Sequence, residues 1–81
     1  MIINRHLGSF EIPLFNINKY PQDIIRVMEG MIVLRAEYHP DSDMIRYLAI
    51  SPKYFEPIPE GAKAPEYLFS ITPEGVVATK I

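Results

Sequence analysis

Two runs of apolar, β-branched and aromatic residues, separated by a five-residue segment with turn-forming residues, constrain this chain more than any other feature. The runs are MIVLRAEY and MIRYLAIS, and HPDSD lies between them. Runs of this composition favour β-strands, while proline, aspartate and serine favour the turn that joins two strands. The sequence therefore predicts an antiparallel hairpin whose loop spans residues 39–43.

The length of that loop decides which residues face one another across the hairpin. With five loop residues, one face carries mostly apolar pairs: Tyr38–Met44, Ala36–Arg46, Leu34–Leu48 and Ile32–Ile50. We expect this face to meet the helix described next. The opposite face mixes charged and apolar side chains and places Arg35 across from Tyr47. A loop one residue shorter or longer would exchange the faces, because side chains alternate along a strand.

One short helix is predicted in the segment YPQDIIRVMEG. Pro21 suits the first helical position, where a missing N–H breaks no hydrogen bond. Asp23 in the first turn complements the positive end of the helix dipole, and Gly30 can adopt the left-handed conformation that ends a helix. Three apolar residues share one face at helical spacing: Ile24, Val27 and Met28. A helix this short needs a packing partner.

The remaining segments predict further strands. SFEIPLFNI alternates imperfectly and indicates an extended segment or short edge strand, because Pro13 lacks the N–H that a central strand needs. EYLFSIT and VVATKI flank PEG, which favours a second hairpin. The expected fold is α+β. One short helix packs on a mainly antiparallel sheet of two hairpins, and residues 1–81 form a single small domain.

A proline-rich segment, YFEPIPEGAKAPEY, connects the two hairpins; we call residues 54–67 the strap. Its prolines restrict the unfolded chain, and aromatic residues at its ends (Tyr54, Phe55 and Tyr67) are expected to anchor it. Four strap residues are candidates for partner binding: Pro57, Pro59, Glu60 and Gly61. A packed connection is the alternative, although long loops without secondary structure are more often functional.

Composition excludes several kinds of chemistry. The 81 residues include no cysteine, so thiol nucleophiles, disulfides and zinc–thiolate sites are excluded. The net charge of −2, without a basic patch, argues against nucleic-acid binding. We find no phosphate-binding loop, nucleophile elbow or zinc-protease motif. We therefore expect no enzyme, no cofactor, no membrane span and a cytoplasmic location. Because so small a core is marginally stable, we also expect a homo-oligomer.

Candidate ligand- or partner-binding residues lie around the central hairpin. Cationic and aromatic side chains suit interfaces and nucleotide pockets alike, and five residues of these types are candidates: Arg35, Arg46, Tyr47, Lys53 and Tyr54. His39, Asp41 and Asp43 could also be considered as metal ligands. The sequence lacks the further ligands of a calcium loop, so we predict a solvated turn and no metal site.

Residues 30–67 resemble small uncharacterised proteins of bacteriophages and related mobile elements. The resemblance covers about half of the chain and rests on the strand end YLAISP followed by the proline–glutamate–glycine loop that ends in PEY. It implies an accessory protein that acts by binding a host component, and it assigns no residue a role.

Two hypotheses about function follow. In the first, the chain is a non-catalytic binding protein that inhibits or modulates a host protein, such as a defence protein. In the second, a homo-oligomer sequesters a small anionic ligand, such as a nucleotide signal, in a pocket at a subunit boundary. The cations and aromatic rings around the hairpin would then hold the ligand.

Overall fold

The computed structural model describes residues 4–81. The elements, in chain order, are β1 (Asn4–Arg5), β2 (Leu7–Pro13), α1 (Leu14–Lys19), α2 (Pro21–Met28), β3 (Ile32–His39), β4 (Met44–Ile50), β5 (Ile58–Pro59), β6 (Tyr67–Thr72) and β7 (Gly75–Lys80). The named strands pair antiparallel, in ladders ordered β2–β4–β3, β1–β5 and β6–β7. The predicted α+β class and both predicted hairpins are confirmed.

The predicted helix is confirmed as α2, and the structure adds a second helix before it. Pro21 opens α2, Val27 is buried, and Ile24 packs against the core. The extended interpretation of SFEIPLFNI was right up to Pro13 and wrong beyond it, because α1 begins at the next residue. Pro13 ends the ladder, and Leu14 then donates its N–H to the Asp43 carbonyl. Neither helix is long and apolar enough to cross a bilayer.

The central hairpin forms with a different register from the one predicted. His39 pairs with Met44, so the loop has four residues, 40–43. Asp43 closes this loop with a positive φ of 54° and accepts a hydrogen bond of 2.7 Å from the Tyr38 hydroxyl to its Oδ1. A bulge at Leu34 takes up the extra residue. Only the pairs beyond the bulge, Ile32–Ile50 and Val33–Ala49, therefore match the register that a five-residue loop predicts.

The face of β4 that meets the core is also the opposite of the one predicted. Ala49 is fully buried and Tyr47 packs against the core, whereas Arg46, on the other face, bonds to exposed carboxylates. Tyr47 lies opposite Ala36, and Arg35 lies opposite Leu48, so the predicted Arg35–Tyr47 pair does not form. The core face is set by β2, which places Phe10 and Ile12 opposite Tyr47 and Ile45.

The core is a cluster of aromatic rings contributed by β2, the strap and β6. Phe10, 2% exposed, lies at its centre: its ring centroid is 5.1 Å from that of Tyr47 and 4.8 Å from that of Phe69. Phe55 and Tyr67 are buried with their ring centroids 4.7 Å apart. The predicted anchoring of the strap by its terminal aromatics is therefore confirmed.

Between its anchors the strap bonds to the beginning of the described chain. β5 pairs with β1, and the Ser9 N–H donates to the Pro65 carbonyl at 2.9 Å, which brings the end of the strap alongside β2. Gly61 has φ +84°, and the Ala62 N–H donates to the Pro59 carbonyl across a tight turn. A positive φ at the third residue of such a turn favours glycine, which accounts for Gly61 in this turn.

Gly30 follows α2 for a reason other than the one predicted. It does not adopt the left-handed conformation, which among the described glycines occurs only at Gly61 and Gly75. Instead, a Cβ at Gly30 would lie 2.5 Å from Cε2 of the Tyr54 ring. The Gly30 carbonyl also accepts a hydrogen bond from the fully buried Ser51 hydroxyl. Close approach of the strap, and not helix termination, requires glycine at this position.

Candidate functional site

Three of the five candidate binding residues line one cavity on the outer face of the central sheet. The cavity has a volume of about 320 Å³, and Arg35, Arg46 and Tyr47 all contribute to its lining. Lys63 and Ala64 of the strap also line it, so this face is partly covered by the same chain. We call it the β3–β4 cavity.

The two arginines of the β3–β4 cavity are already paired with carboxylates. Arg46 donates from Nη1 to Glu11 Oε1 at 2.6 Å and from Nη2 to Glu66 Oε1 at 2.5 Å. Arg35 Nε lies 3.5 Å from Glu37 Oε1. An incoming anion would have to compete with these carboxylates, which weakens the cavity as an anion site.

The Arg46–Glu66 pair should make stability depend on pH. The hydrogen bond from Arg46, helped by its charge, holds the pKa of Glu66 below its ordinary value. The pair therefore stabilises the fold above the ordinary glutamate pKa, and this contribution is lost as the pH falls through the lowered value. We expect the Tm difference between the wild type and Glu66→Gln to shrink on acidification below about pH 4.3. Thermal melts from neutral to acid pH measure it.

Glu74→Gln is the matched control for that measurement, because it removes a carboxylate from the turn between β6 and β7. A Glu66→Gln difference that stays constant across the acid range, or that Glu74→Gln reproduces, would contradict the role of the pair. The expected effect is small, since Glu66 is exposed to solvent and screened.

The remaining candidates lie elsewhere. The Lys53 ammonium sits 5.2 Å from the centroid of the Tyr54 ring, and that ring packs edge-on against Phe69. Tyr54 is therefore part of the packing between strap and core, and neither residue lines the β3–β4 cavity. Four strap candidates lie exposed on the outside of the strap: Pro57, Pro59, Glu60 and Gly61. A binding role for these four stays a prediction.

The turn considered as a metal site has structural contacts instead. Asp43 accepts the Tyr38 hydroxyl, and His39 Nε2 lies 3.9 Å from Glu37 Oε2. Within residues 4–81, no group of three or more acidic or histidine side chains is arranged to hold a metal ion.

A second concave site was not predicted from the sequence. β6 starts beside β2, where Ser9 and Glu66 form a parallel bridge, and then departs to pair with β7. The space left between the end of β2, the face of α2 and β6 is a groove of about 340 Å³. We call it the α2–β6 groove.

Apolar side chains dominate this groove. Its lining includes Ile24 and Val27 of α2 and Leu68 and Ile71 of β6, and Leu68 is 60% exposed. An apolar lining with a few polar groups is typical of sites that bind other molecules. The volume is at the small end for such sites, so it suits one or two anchoring side chains.

The charged residues that line the α2–β6 groove have one sign. Glu11 and Asp23 line it, and no lysine or arginine does so among the described residues. Glu11 already bonds to Arg46, whereas Asp23, in the first turn of α2, contributes the second carboxylate. The arrangement favours a ligand that combines an apolar group with a positive charge.

Sequence reasoning missed the groove because its walls are distant in the chain. The signal nearest to it was Leu68, which the alternation of EYLFSIT placed on the side opposite Tyr67 and Phe69, hence away from the core. No pattern in the sequence indicates that β6 leaves β2 after one bridge, and residues 14–17 of α1 were predicted to be extended.

Comparisons with known proteins give no relative: no protein-family model, no curated protein and no solved structure matches this chain.

Proposed function

We propose that this chain is a non-catalytic binding protein whose α2–β6 groove takes a basic, apolar-anchored segment of another protein. The observation that carries the proposal is the groove itself: exposed apolar side chains in a concave site whose only charged lining groups, among the described residues, are carboxylates. The resemblance of residues 30–67 to bacteriophage proteins supports a host protein as the partner. Binding would then inhibit or modulate that protein, for example one of host defence.

Exposed aromatic side chains at and beside the groove support binding as the mode of action. Tyr20, between α1 and α2, lines the groove and is 46% exposed, and Phe15 of α1 is 61% exposed. Contiguous exposed apolar patches on a small protein mark sites of interaction more often than single exposed residues do. Aromatic residues are common among the residues that contribute most to binding at protein interfaces.

Two synthetic peptides of equal length test the chemistry of the groove. Both carry the same leucine and phenylalanine anchors, flanked in one by lysines and in the other by glutamates. We expect the lysine-flanked peptide to bind several-fold more tightly, because the carboxylates of the groove attract its lysines and repel the glutamates of the other peptide. Chemical-shift perturbation in NMR spectra of the labelled protein should map its site to Ile24, Val27, Leu68 and Ile71.

Matched substitutions test whether the groove is the site. Leu68→Ser should weaken peptide binding about tenfold, since it removes an apolar contact. Ile25→Ser is the control: Ile25 is 50% exposed on α2 but does not line the groove. Equal binding of both peptides, perturbed residues outside the groove, or equal effects of the two substitutions would overturn the proposal.

A second candidate function, sequestration of a small anionic ligand, is favoured by one observation: Arg35, Arg46 and Lys63 all line the β3–β4 cavity. A ligand that binds only the native state raises its stability. A panel of nucleotides at millimolar concentration should leave Tm unchanged if the first proposal is correct. A rise in Tm that Lys63→Ala removes and Lys80→Ala retains would favour the second candidate.

A further inference from the structure

β3 is an edge strand whose outer side is unpaired within the described part of the chain. The order β2–β4–β3 places it at the sheet border, and β4 is its only strand partner among residues 4–81. All eight of its residues are exposed, including Leu34 at 52% and Tyr38 at 54%. An edge of this length with apolar side chains is a template for pairing with another strand.

The ladder to β4 indicates which backbone groups of β3 point outward. Ser51 donates its N–H to the His6 carbonyl, which continues the ladder between β2 and β4. Hydrogen-bonded and non-hydrogen-bonded pairs alternate in antiparallel ladders. Alternate residues of β4, counted back from Ser51, therefore bond to β2, and the residues between them, Leu48 and Arg46, bond to β3. Their partners on β3 are Arg35 and Glu37, which direct their backbone groups toward β4. Ala36 and Tyr38 direct theirs outward. Beyond the bulge at Leu34, the ladder is regular from Arg35 to His39.

We propose that two copies of this chain associate through β3, antiparallel, with the two-fold axis at Ala36. In that register Ala36 faces Ala36 of the second copy, and Arg35 faces Glu37 in both directions. Leu34 likewise faces Tyr38. Opposite charges and aromatic–aliphatic pairs across an antiparallel ladder are stabilising. The result is a continuous six-stranded sheet across the dimer.

The neighbouring registers that keep outward groups paired are disfavoured by charge. Centring the axis on Arg35 places two arginines opposite each other, and centring it on Glu37 places two glutamates opposite each other. Like charges directly opposite destabilise a strand pair. Both side chains are more than half exposed, with Arg35 at 66% and Glu37 at 54%, so each can exchange its present partner on the same strand for one on the second copy. The sequence of the edge thus selects both its partner and its register.

The first test is the mass of the full chain in solution as a function of concentration. We expect sedimentation velocity to show a species of twice the 9.3 kDa chain mass that dissociates on dilution to low micromolar concentration. The pairing of one short strand buries less surface than a standard stable interface, which limits its affinity. A monomer at all concentrations up to near millimolar would overturn the proposal, and an edge that pairs only with a strand of a different protein gives that result.

Substitutions then test the register. Arg35→Glu should weaken dimerisation about tenfold or more, because two attractive pairs become repulsive. The double substitution Arg35→Glu with Glu37→Arg restores opposite charges across the axis and should recover most of the affinity. Arg26→Glu is the matched control on α2 and should leave dimerisation unchanged. An Arg35→Glu variant that dimerises like the wild type would overturn the proposal.

Cross-linking locates the axis directly, because the chain has no cysteine of its own. In a hydrogen-bonded antiparallel pair the two Cα atoms are about 5.5 Å apart, within the range that a disulfide spans. Ala36→Cys should therefore give a covalent dimer on mild oxidation. In Leu34→Cys the two cysteines would be about 14 Å apart, too far to bridge. Faster cross-linking of Leu34→Cys, or equal rates for the two variants, would contradict the proposed axis.

Discussion

Phe10→Ala should lower the free energy of unfolding by about 3–5 kcal/mol, the largest loss that we expect from any single substitution in this chain. The Phe10 ring contacts Tyr47, Phe55 and Phe69, and so joins β2 to the hairpin, the strap and β6. Its removal leaves a cavity where three parts of the fold meet. Domains of this size have little stability to spare, so the variant should be largely unfolded.

Urea denaturation followed by circular dichroism measures that loss. Phe15→Ala removes the same side chain from α1, where it is 61% exposed and lies 5.2 Å from the Lys19 ammonium. A change of no more than about 0.5–1 kcal/mol is expected for the control. Similar losses for the two variants would mean that the aromatic cluster does not hold the fold together.

Gly8→Ala should destabilise the protein by about 1–3 kcal/mol, although it adds only one methyl group. A Cβ at Gly8 would lie 2.8 Å from Cδ1 and from Cγ of the Phe55 ring, closer than carbon atoms approach. Gly8 does not have a positive φ, so the backbone itself would accept alanine. The lost stability would come from displacement of the Phe55 ring, which anchors the strap.

A double-mutant cycle separates this effect from a general weakening of β2. Phe55→Leu replaces the ring with a smaller side chain, and Gly8→Ala should then be much less harmful than in the wild type. We expect a coupling free energy of about 0.5–3 kcal/mol between the two positions. Additive losses in thermal or urea unfolding would show that Gly8 and Phe55 do not interact in this way.

Local signals in the sequence predicted the elements better than their pairing. Pro21 and the spacing of Ile24 and Val27 placed α2 correctly, because a first-turn proline and an amphipathic face are local properties. The turn residues placed both hairpins correctly. The hairpin register was wrong because Asp43 closes a four-residue loop with positive φ and a bulge at Leu34 absorbs the difference. Neither feature has a distinct local pattern.

Features that depend on contacts between distant parts of the chain could not be predicted from local signals. Gly30 was interpreted as a helix stop, but the ring of Tyr54, on the strap, is what requires glycine there. The candidate cations Arg35 and Arg46 do line one cavity, yet their carboxylate partners include Glu11 and Glu66, which come from opposite ends of the chain. The α2–β6 groove depends in the same way on where β6 leaves β2.

β4 pairs with both β3 and β2, and the two pairings close loops of very different length, so they cost different amounts of chain entropy. Pairing β3 with β4 closes a loop of residues 40–43, whereas pairing β2 with β4 closes residues 14–43. The longer closure costs about 2 kcal/mol more in a flexible-chain estimate. The hairpin can therefore form as a local event, while β2 must wait for contacts that repay the larger loss. Those contacts are the rings around Phe10, so the side chains that fill the core also determine when the third strand joins the sheet.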